Sequence, residues 1–426
     1  MSDYITRDKE SIWHPFTQLT SPIDPIAITE AQGIYLHTED GRKIMDAISS
    51  WWVNLHGHSN PHIANAIEKQ AKTLEHVIFA GFTHEPAITL AENLLSILPS
   101  NQSKIFYSDN GSTAVEVGLK MAFQYWHNQE IEKKKMIAFN GAYHGDTFGA
   151  MAVGDRGAFS APFSPFLFDV AFVDCPNKIN YEEILFQFKK YVDSGDVAAF
   201  IFEPLVLGSA GMLMYDAEYL DEMIEYAQLH DVICIADEVF TGFGRTGKLF
   251  ASDYLKNKPD IFALSKGLTG GTMALGVTSC TEKIIEVFRS NDILKTFFHG
   301  HSFTANPIAC AASNASFDLL MKEDCQKSIN KISTWQKEAG HNWSAHNKIK
   351  EVRQLGTILA LELDTSDASS YVNEVRHRLY PFFLERDILL RPLGNVIYVL
   401  PPYIITKPEI EKVYSAINEL LNSDIV

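Results

Sequence analysis

A chain of 426 residues, 46% hydrophobic and 21% charged, can bury a large core and has room for more than one domain, which excludes a disordered protein. Its formal net charge of -17 repels nucleic acid and anionic membranes, whose binders cluster Lys and Arg; the run Lys133-Lys134-Lys135 reads as a solvated helix end. The opening MSDYITRDKE is too polar for a signal peptide, no apolar run reaches the roughly 18 residues of a membrane span, and five scattered cysteines read as thiols in a reducing compartment, so a cytoplasmic protein is expected.

In chain order, Gly33 to Ala47 reads as a hairpin, with Tyr35 and Leu36 before a Glu39-Asp40-Gly41 turn and Ile44 after it. Pro61 opens a helix carrying Ile63, Ala66, Ile67 and Ala71 at helical spacing, capped by Ser59 or Asn60. Short apolar runs follow at Lys104 to Tyr107, Met136 to Phe139, Val170 to Val173, Ala198 to Phe202, Val232 to Ala236 and Ile261 to Leu264, with helical patterns between several of them. That alternation predicts an α/β fold with a mostly parallel sheet covered on both faces. Near Cys325 the texture changes to a long polar helix, Gln326 to Asn347, then Ile349 to Leu363, a helix about Ala368 to Glu385, and short strands around Leu389 and Val396. The expected organisation is an N-terminal segment, residues 1–55, contributing to a small domain, a large domain at 56–325, and the C-terminal small domain at 326–426.

Three stretches carry chemistry. Ser108-Asp109-Asn110-Gly111-Ser112-Thr113-Ala114-Val115-Glu116 follows a strand and opens a helix running to about Trp126. A helix start offers unpaired N–H groups and a positive dipole to an anion such as phosphate, and Ser112 and Thr113 add hydroxyls. The plainer alternative is a capping box of Thr113 with Glu116. VICIADEVFTGFGRTGKLFA and DIFALSKGLTGG each read as a buried strand ending in a charged residue, Asp237 and Lys266, at the edge where an open α/β sheet presents its chemistry. Singly, either residue is commonly structural; together they suit pyridoxal phosphate, whose aldehyde the lysine can take covalently and whose ring nitrogen the acid can keep protonated.

Two patterns mislead. Gly242-Phe243-Gly244-Arg245-Thr246-Gly247-Lys248 has the spacing of a nucleotide P-loop, but Leu249 stands where Ser or Thr must ligate magnesium. His56, His58 and His62 have no carboxylate or cysteine at ligand spacing, so no metal is expected.

The Asp237-Glu238-Val239 and Ser265-Lys266-Gly267 motifs resemble those of the class III (ω-amino-acid type) aminotransferases. The resemblance runs from about Trp13 to the C-terminus, and it implies pyridoxal-phosphate-dependent transferase fold type I. Within the family, His14-Pro15-Phe16-Thr17-Gln18, the segment from Ser49 through Trp51-Trp52 to His58, Gly141-Ala142-Tyr143-His144-Gly145-Asp146-Thr147 and Arg391-Pro392-Leu393-Gly394 are similar to the branch that aminates 8-amino-7-oxononanoate in biotin biosynthesis. Other ω-amino-acid or diamine aminotransferases are the alternative, and an idle cofactor- or nucleotide-binding protein a further one.

The resemblance implies Lys266, Asp237 and Tyr143 as catalytic, with Tyr143 and Val239 on opposite faces of the cofactor ring. It implies a phosphate cup from Gly111 and Ser112, completed by Gly300 and Ser302 across a homodimer, where His301-Ser302 replaces the Pro-Thr of many relatives. Phe16, Trp51, Trp52, Asp146, Arg245, Gly300, Arg391 and Tyr398 are the implied substrate contacts, with Arg391 facing a carboxylate. Glu203 is either in contact with the cofactor or a hydrogen-bonding neighbour of Asp237 or Arg245, and Leu207, where relatives commonly carry Gln, receives no role. Relatives using S-adenosylmethionine as amino donor often carry Tyr at the position of Phe16, whereas a lysine-using variant carries Phe. The double tryptophan favours adenosylmethionine, with lysine the alternative.

Overall fold

The computed structural model describes residues 3–21, 23–157, 159–365 and 373–425. A seven-stranded sheet runs through the centre in the order Gln102–Ser108, Gly276–Thr281, Ile261–Leu264, Ile233–Asp237, Val197–Phe202, Lys135–Phe139 and Val170–Val173. The apolar runs of the sequence supply six of these strands, all pointing one way; Gly276–Thr281 alone is antiparallel to its neighbours. That seventh strand, GVTSCT, is not legible in the sequence because half of it is polar, yet it is wholly buried. Two of its three hydroxyls are satisfied inside: Thr278 Oγ1 donates to the Ala114 carbonyl and Ser279 Oγ to Gln102 Oε1, each at 2.7 Å.

Strand alternation divides the core between two faces. Ile233 and Ile235 pack with the helix Gly111–Asn128 on one side, while Cys234 and Ala236 join the larger core on the other. The helix sits close to the sheet at Gly118, where a methyl group would lie 3.3 Å from Ile261 Cγ2. Pro61–Thr73 is helical with Asn60 as its cap, the side chain accepting from His62 N at 3.0 Å.

The two ends of the chain build one sheet. Tyr35–Thr38 and Lys43–Asp46 form the expected hairpin, flanked on one side by Ile28–Gln32 and on the other by Ile388–Leu389, which runs parallel to Lys43–Asp46. Ile349–Leu355 and Ile358–Leu363 pair antiparallel, Val396–Val399 adds a third strand, and the helix Glu323–Trp343 packs on them. The helix expected from Ala368 is Arg376–Leu384; Ala368 itself lies outside the described residues. No helix among the described residues is long and apolar enough to cross a membrane.

The Ile349–Leu363 hairpin is locked at its turn to the loop that follows the Asp237 strand. Gly356 has φ +57°, and a Cβ there would lie 2.1 Å from the Thr246 carbonyl carbon and 2.2 Å from Gly247 N. Thr357 follows, its N–H and hydroxyl both donating to the Arg245 carbonyl, at 2.9 and 3.0 Å. Gly356→Ala is expected to destabilise the protein by at least about 2 kcal/mol, combining a left-handed alanine with a displaced backbone. Chemical denaturation measures this, and unchanged stability would show that the close approach is not made.

Candidate active site

The carboxyl ends of the parallel strands converge on a cavity of about 460 Å³ whose wall includes Gly111, Ser112, Tyr143, His144, Glu203, Asp237, Val239 and Lys266. Residues more than 150 positions apart in the chain thus meet because each directly follows a strand of one sheet (266 minus 111 is 155).

At one end lies the start of the helix Gly111–Asn128. Its cap is Asn110, which accepts from Thr113 N at 3.0 Å while the Thr113 hydroxyl accepts from Asn110 N at 3.0 Å. The capping box anticipated between Thr113 and Glu116 is therefore not the one formed; Glu116 instead accepts from Gly149 N and Ala150 N at 2.7 and 3.1 Å. Thr113 is spent on the cap, and Gly111 and Ser112 are left to line the cavity. Gly111 packs so closely that a Cβ would lie 2.7 Å from Val239 Cγ1.

Across the cavity the Asp237 carboxylate, 4% exposed, is held at both oxygens: Oδ1 accepts from Val239 N at 3.0 Å and Oδ2 from His144 Nδ1 at 2.7 Å. His144 has no role assigned from the sequence; the signal is its place beside Tyr143 in a glycine-flanked turn. Glu203 is also buried, but bonds to neither Asp237 nor Arg245. Its two oxygens accept from Tyr143 N and Gly208 N, each at 3.0 Å. Burial first, with Asp237 nearby, raises the Glu203 pKa to about 7, against the opposing effect of His144 and the two N–H donors. The Tyr143 hydroxyl donates to Asp146 Oδ2 at 2.9 Å, tying that ring to the loop beside Ser112, whose Oγ accepts from Asp146 N at 3.3 Å.

Lys266, two residues after the Ile261–Leu264 strand, opens the short 3-10 turn Lys266–Thr269 in a left-handed conformation, φ +45°. Its Nζ lies 4.4 Å from the Trp52 ring centre and 5.6 Å from that of Phe240. Desolvation lowers its pKa to about 8, with Arg245 contributing, although Asp237 and Glu203 pull the other way. About a tenth of the amine is therefore free at pH 7, far more than for an ordinary lysine, and a nucleophile or proton carrier needs that form.

The substrate-side residues separate into groups. Ser49–Trp52 forms one turn of left-handed helix, with φ of 54°, 44°, 69° and 76° and Trp52 N donating to the Ile48 carbonyl at 3.0 Å. Such a turn costs about 1–2 kcal/mol per L-residue. It sends Trp52 inward, 4% exposed and edge-on to Tyr398 at 6.1 Å between ring centres. Trp51 goes outward, edge-on to Phe16 at 5.5 Å and beneath the Arg391 guanidinium at 5.2 Å. Among the described residues Arg391 makes no ion pair. Phe16 also meets Phe159 at 5.8 Å, and Phe159, Tyr143 and Asp146 line a second cavity of about 320 Å³.

Arg245 departs from the sequence reading. It is 1% exposed, and its guanidinium donates to the carbonyls of Trp52, Asn54 and Pro401 at 3.1, 3.1 and 3.2 Å, so it braces the chain beneath the tryptophans and does not line the cavity. Gly300 and Ser302 are exposed and lie outside the cavity of their own chain. The P-loop-like stretch folds as a tight turn, with Gly244 N donating to the Leu249 carbonyl at 3.1 Å, and leads into a short 3-10 turn rather than a phosphate-binding helix. His56, His58 and His62 face three different partners, Ser316, Asp46 and Asp318.

A partly neutral lysine, a buried acid braced by an imidazole, a flat aromatic and a helix start on one wall are the donor set that pyridoxal phosphate needs for its aldehyde, ring nitrogen, ring face and phosphate. The residues present fit the group.

Comparison with known proteins agrees. Residues 18–421 match the family Aminotransferase class-III. An adenosylmethionine-8-amino-7-oxononanoate aminotransferase of Synechococcus elongatus is 46% identical over 96% of this chain and 98% of its own length. One from Helicobacter pylori is 36% identical over 97% of each. The crystal structure of the Methanocaldococcus jannaschii protein of that name superposes with a TM-score of 0.92 at 36% identity, covering 98% of both chains. The fold is shared with an omega transaminase from Pseudomonas jessenii solved in complex with PMP, TM-score 0.92 at 24% identity over 99% and 98% of the two chains. The chain therefore belongs to the class III aminotransferases and is a pyridoxal-phosphate-dependent transaminase.

Proposed function

We propose that this transaminase delivers an amino group to 8-amino-7-oxononanoate, forming 7,8-diaminononanoate in biotin biosynthesis, with S-adenosylmethionine as the amino donor. The observation that carries the reading is the row of aromatic rings, Trp52 against Lys266 and Trp51 against both Phe16 and Arg391, a guanidinium without an ion-pair partner among the described residues. A long apolar acid needs such a wall with a cation at its far end. The names of the relatives at 46% and 36% identity support both substrate and donor.

Pyridoxal phosphate, when bound, supplies an aldehyde and a ring that accepts electrons. Lys266 Nζ would hold the aldehyde until the donor amine displaces it, then take the proton from the donor carbon and return it on the other side of the reaction. Asp237, steadied by His144, would keep a proton at the ring nitrogen. Tyr143 and Val239 would limit tilt of the ring between them, and Gly111 and Ser112 would hold the phosphate. In the second half-reaction Arg391 would fix the carboxylate of the oxo acid while Trp51 and Trp52 exclude water along its chain. We further place Gly300 and Ser302 at the phosphate of a partner subunit in a homodimer; their exposure in the single chain supports this. Five unpaired thiols support the cytoplasm as its compartment.

Phe16 favours a second reading of the donor. It lacks the hydroxyl found in many adenosylmethionine-using relatives, and lysine is the alternative donor. Both donors should be supplied with the oxo acid to the wild type and to Phe16→Tyr. Turnover with adenosylmethionine is expected, improved by the tyrosine by about 2- to 12-fold, the range of one hydrogen bond. Turnover with lysine only, unaltered by the substitution, overturns the donor assignment; no diaminononanoate with either overturns the substrate.

Arg391→Ala should raise the KM for the oxo acid by about 10- to 100-fold, the loss of one charge-assisted contact, while the donor half-reaction stays within about twofold. Equal losses in both halves would make Arg391 structural.

Lys266 gives a pH signature. Its amine is reactive only when deprotonated, so capture of pyridoxal phosphate by the apoprotein should accelerate about tenfold per pH unit below the pKa and level off above it. Stopped-flow absorbance should place the midpoint at about 8; a midpoint above 10 would mean that burial does not tune the lysine.

A further inference from the structure

The left-handed turn Ser49–Trp52 aims both tryptophans, and L-residues do not hold such a turn unaided. What holds it is a buried carboxylate outside the cavity. Asp46 is fully buried at the end of the Lys43–Asp46 strand. Its Oδ1 accepts from Ile48 N and Ser50 N at 3.3 and 2.9 Å, and its Oδ2 accepts from Ser50 Oγ at 2.7 Å. The turn also gains Ser49 Oγ donating to the Leu400 carbonyl at 2.7 Å, and Arg245 donating to the Trp52 carbonyl.

The carboxylate is itself oriented by a chain of bonds whose direction is determined. Gly57 N donates to Asn54 Oδ1 at 2.7 Å, which fixes the amide; Asn54 Nδ2 must then donate to His58 Nδ1, at 3.3 Å. His58 consequently carries its proton on Nε2 and donates it to Asp46 Oδ2 at 3.0 Å. An amide at position 46 would present a donor to one of these donors, so charge and shape are both required.

We propose that Asp46 is a positioning residue for the amino-transfer reaction: through Ser50 and His58 it pins the left-handed turn that sets Trp52 against Lys266 and Trp51 against Arg391. The acceptor used to test this rests on the substrate reading above; the positioning role does not.

The test compares Ser50→Ala, Ser50→Gly, Asp46→Asn and the double variant Asp46→Asn/Ser50→Gly in the holoenzyme. Both Ser50 variants lose the hydroxyl bond to Asp46 Oδ2 and keep the backbone bond to Oδ1, but only glycine adopts the left-handed backbone without strain. Ser50→Ala, which removes one bond to the carboxylate, is expected to raise the KM for the oxo acid about threefold or more, and Asp46→Asn, which disturbs all of them, about tenfold or more. Ser50→Gly should stay within about twofold of wild type, and adding it to Asp46→Asn should recover about fivefold, because the backbone no longer needs pinning. Cofactor absorbance should be retained throughout, as none of the substituted side chains lines the cavity. Ser50→Gly losing as much as Ser50→Ala, or a double variant no better than Asp46→Asn, would overturn the proposal. Should Asp46→Asn not fold, the Ser50 pair decides alone. A wild type inactive on 8-amino-7-oxononanoate sinks the substrate reading only, and the same ratios are then taken on an oxo acceptor that the wild type does turn over.

Discussion

A buried guanidinium ties together three stretches of chain that must keep register for the site to exist. Arg245 donates to carbonyls at Trp52, Asn54 and Pro401, and its own carbonyl accepts both polar hydrogens of Thr357. Taking an arginine this far out of water is costly, and the three carbonyls met by its two terminal nitrogens offset that cost, helped by the Tyr403 ring, 5.1 Å from the guanidinium carbon. The contacts link the loop after the Asp237 strand to the N-terminal tryptophans, to the C-terminal segment and to the Gly356 hairpin. Lys266 thereby meets Trp52 from the other end of the chain.

The same burial that makes Arg245 an anchor tunes the reactive groups. Lys266, Asp237 and Glu203 share a poorly solvated wall, so the lysine loses part of its preference for the charged form and the glutamate gains a preference for the neutral one. The acids oppose the desolvation of the lysine but do not cancel it. Asp237 is treated differently from Glu203: an imidazole meets it, whereas Glu203 has only backbone N–H partners. Two carboxylates a few residues from the same sheet edge thus do different work, one able to face a ring nitrogen and one organising the loop that carries Tyr143.

The split of the two tryptophans between Lys266 and Arg391 follows from the backbone more than from the residue types. A right-handed turn at 49–52 would carry the same tryptophans elsewhere; the left-handed turn splits them, one toward Lys266 and one toward Arg391. Strain is retained where it positions side chains and is offset by fixed hydrogen bonds around Asp46.

The sequence by itself determined the strands that are continuous apolar runs, the polarity of the sheet, and the residues placed directly after strand ends, because burial on both faces and the strand-to-loop transition are local patterns. Asp237, Lys266 and the helix start at Gly111-Ser112 were legible on that ground, Tyr143 only through the family resemblance, and the cavity gathers them all. The half-polar strand Gly276–Thr281 was not, since the hydroxyls of Thr278 and Ser279 find their partners more than 160 residues away (278 minus 114 is 164; 279 minus 102 is 177). Nor was the fate of Arg245, read as a substrate contact, or the work of Asp46 and His144. An arginine in a glycine-rich turn, an aspartate at a strand end and a histidine beside a tyrosine look alike whether they face a ligand or the chain. Only the tertiary structure decides which, because their partners are backbone carbonyls and side chains supplied by distant segments, and a buried charge is defined by what surrounds it rather than by its neighbours in sequence.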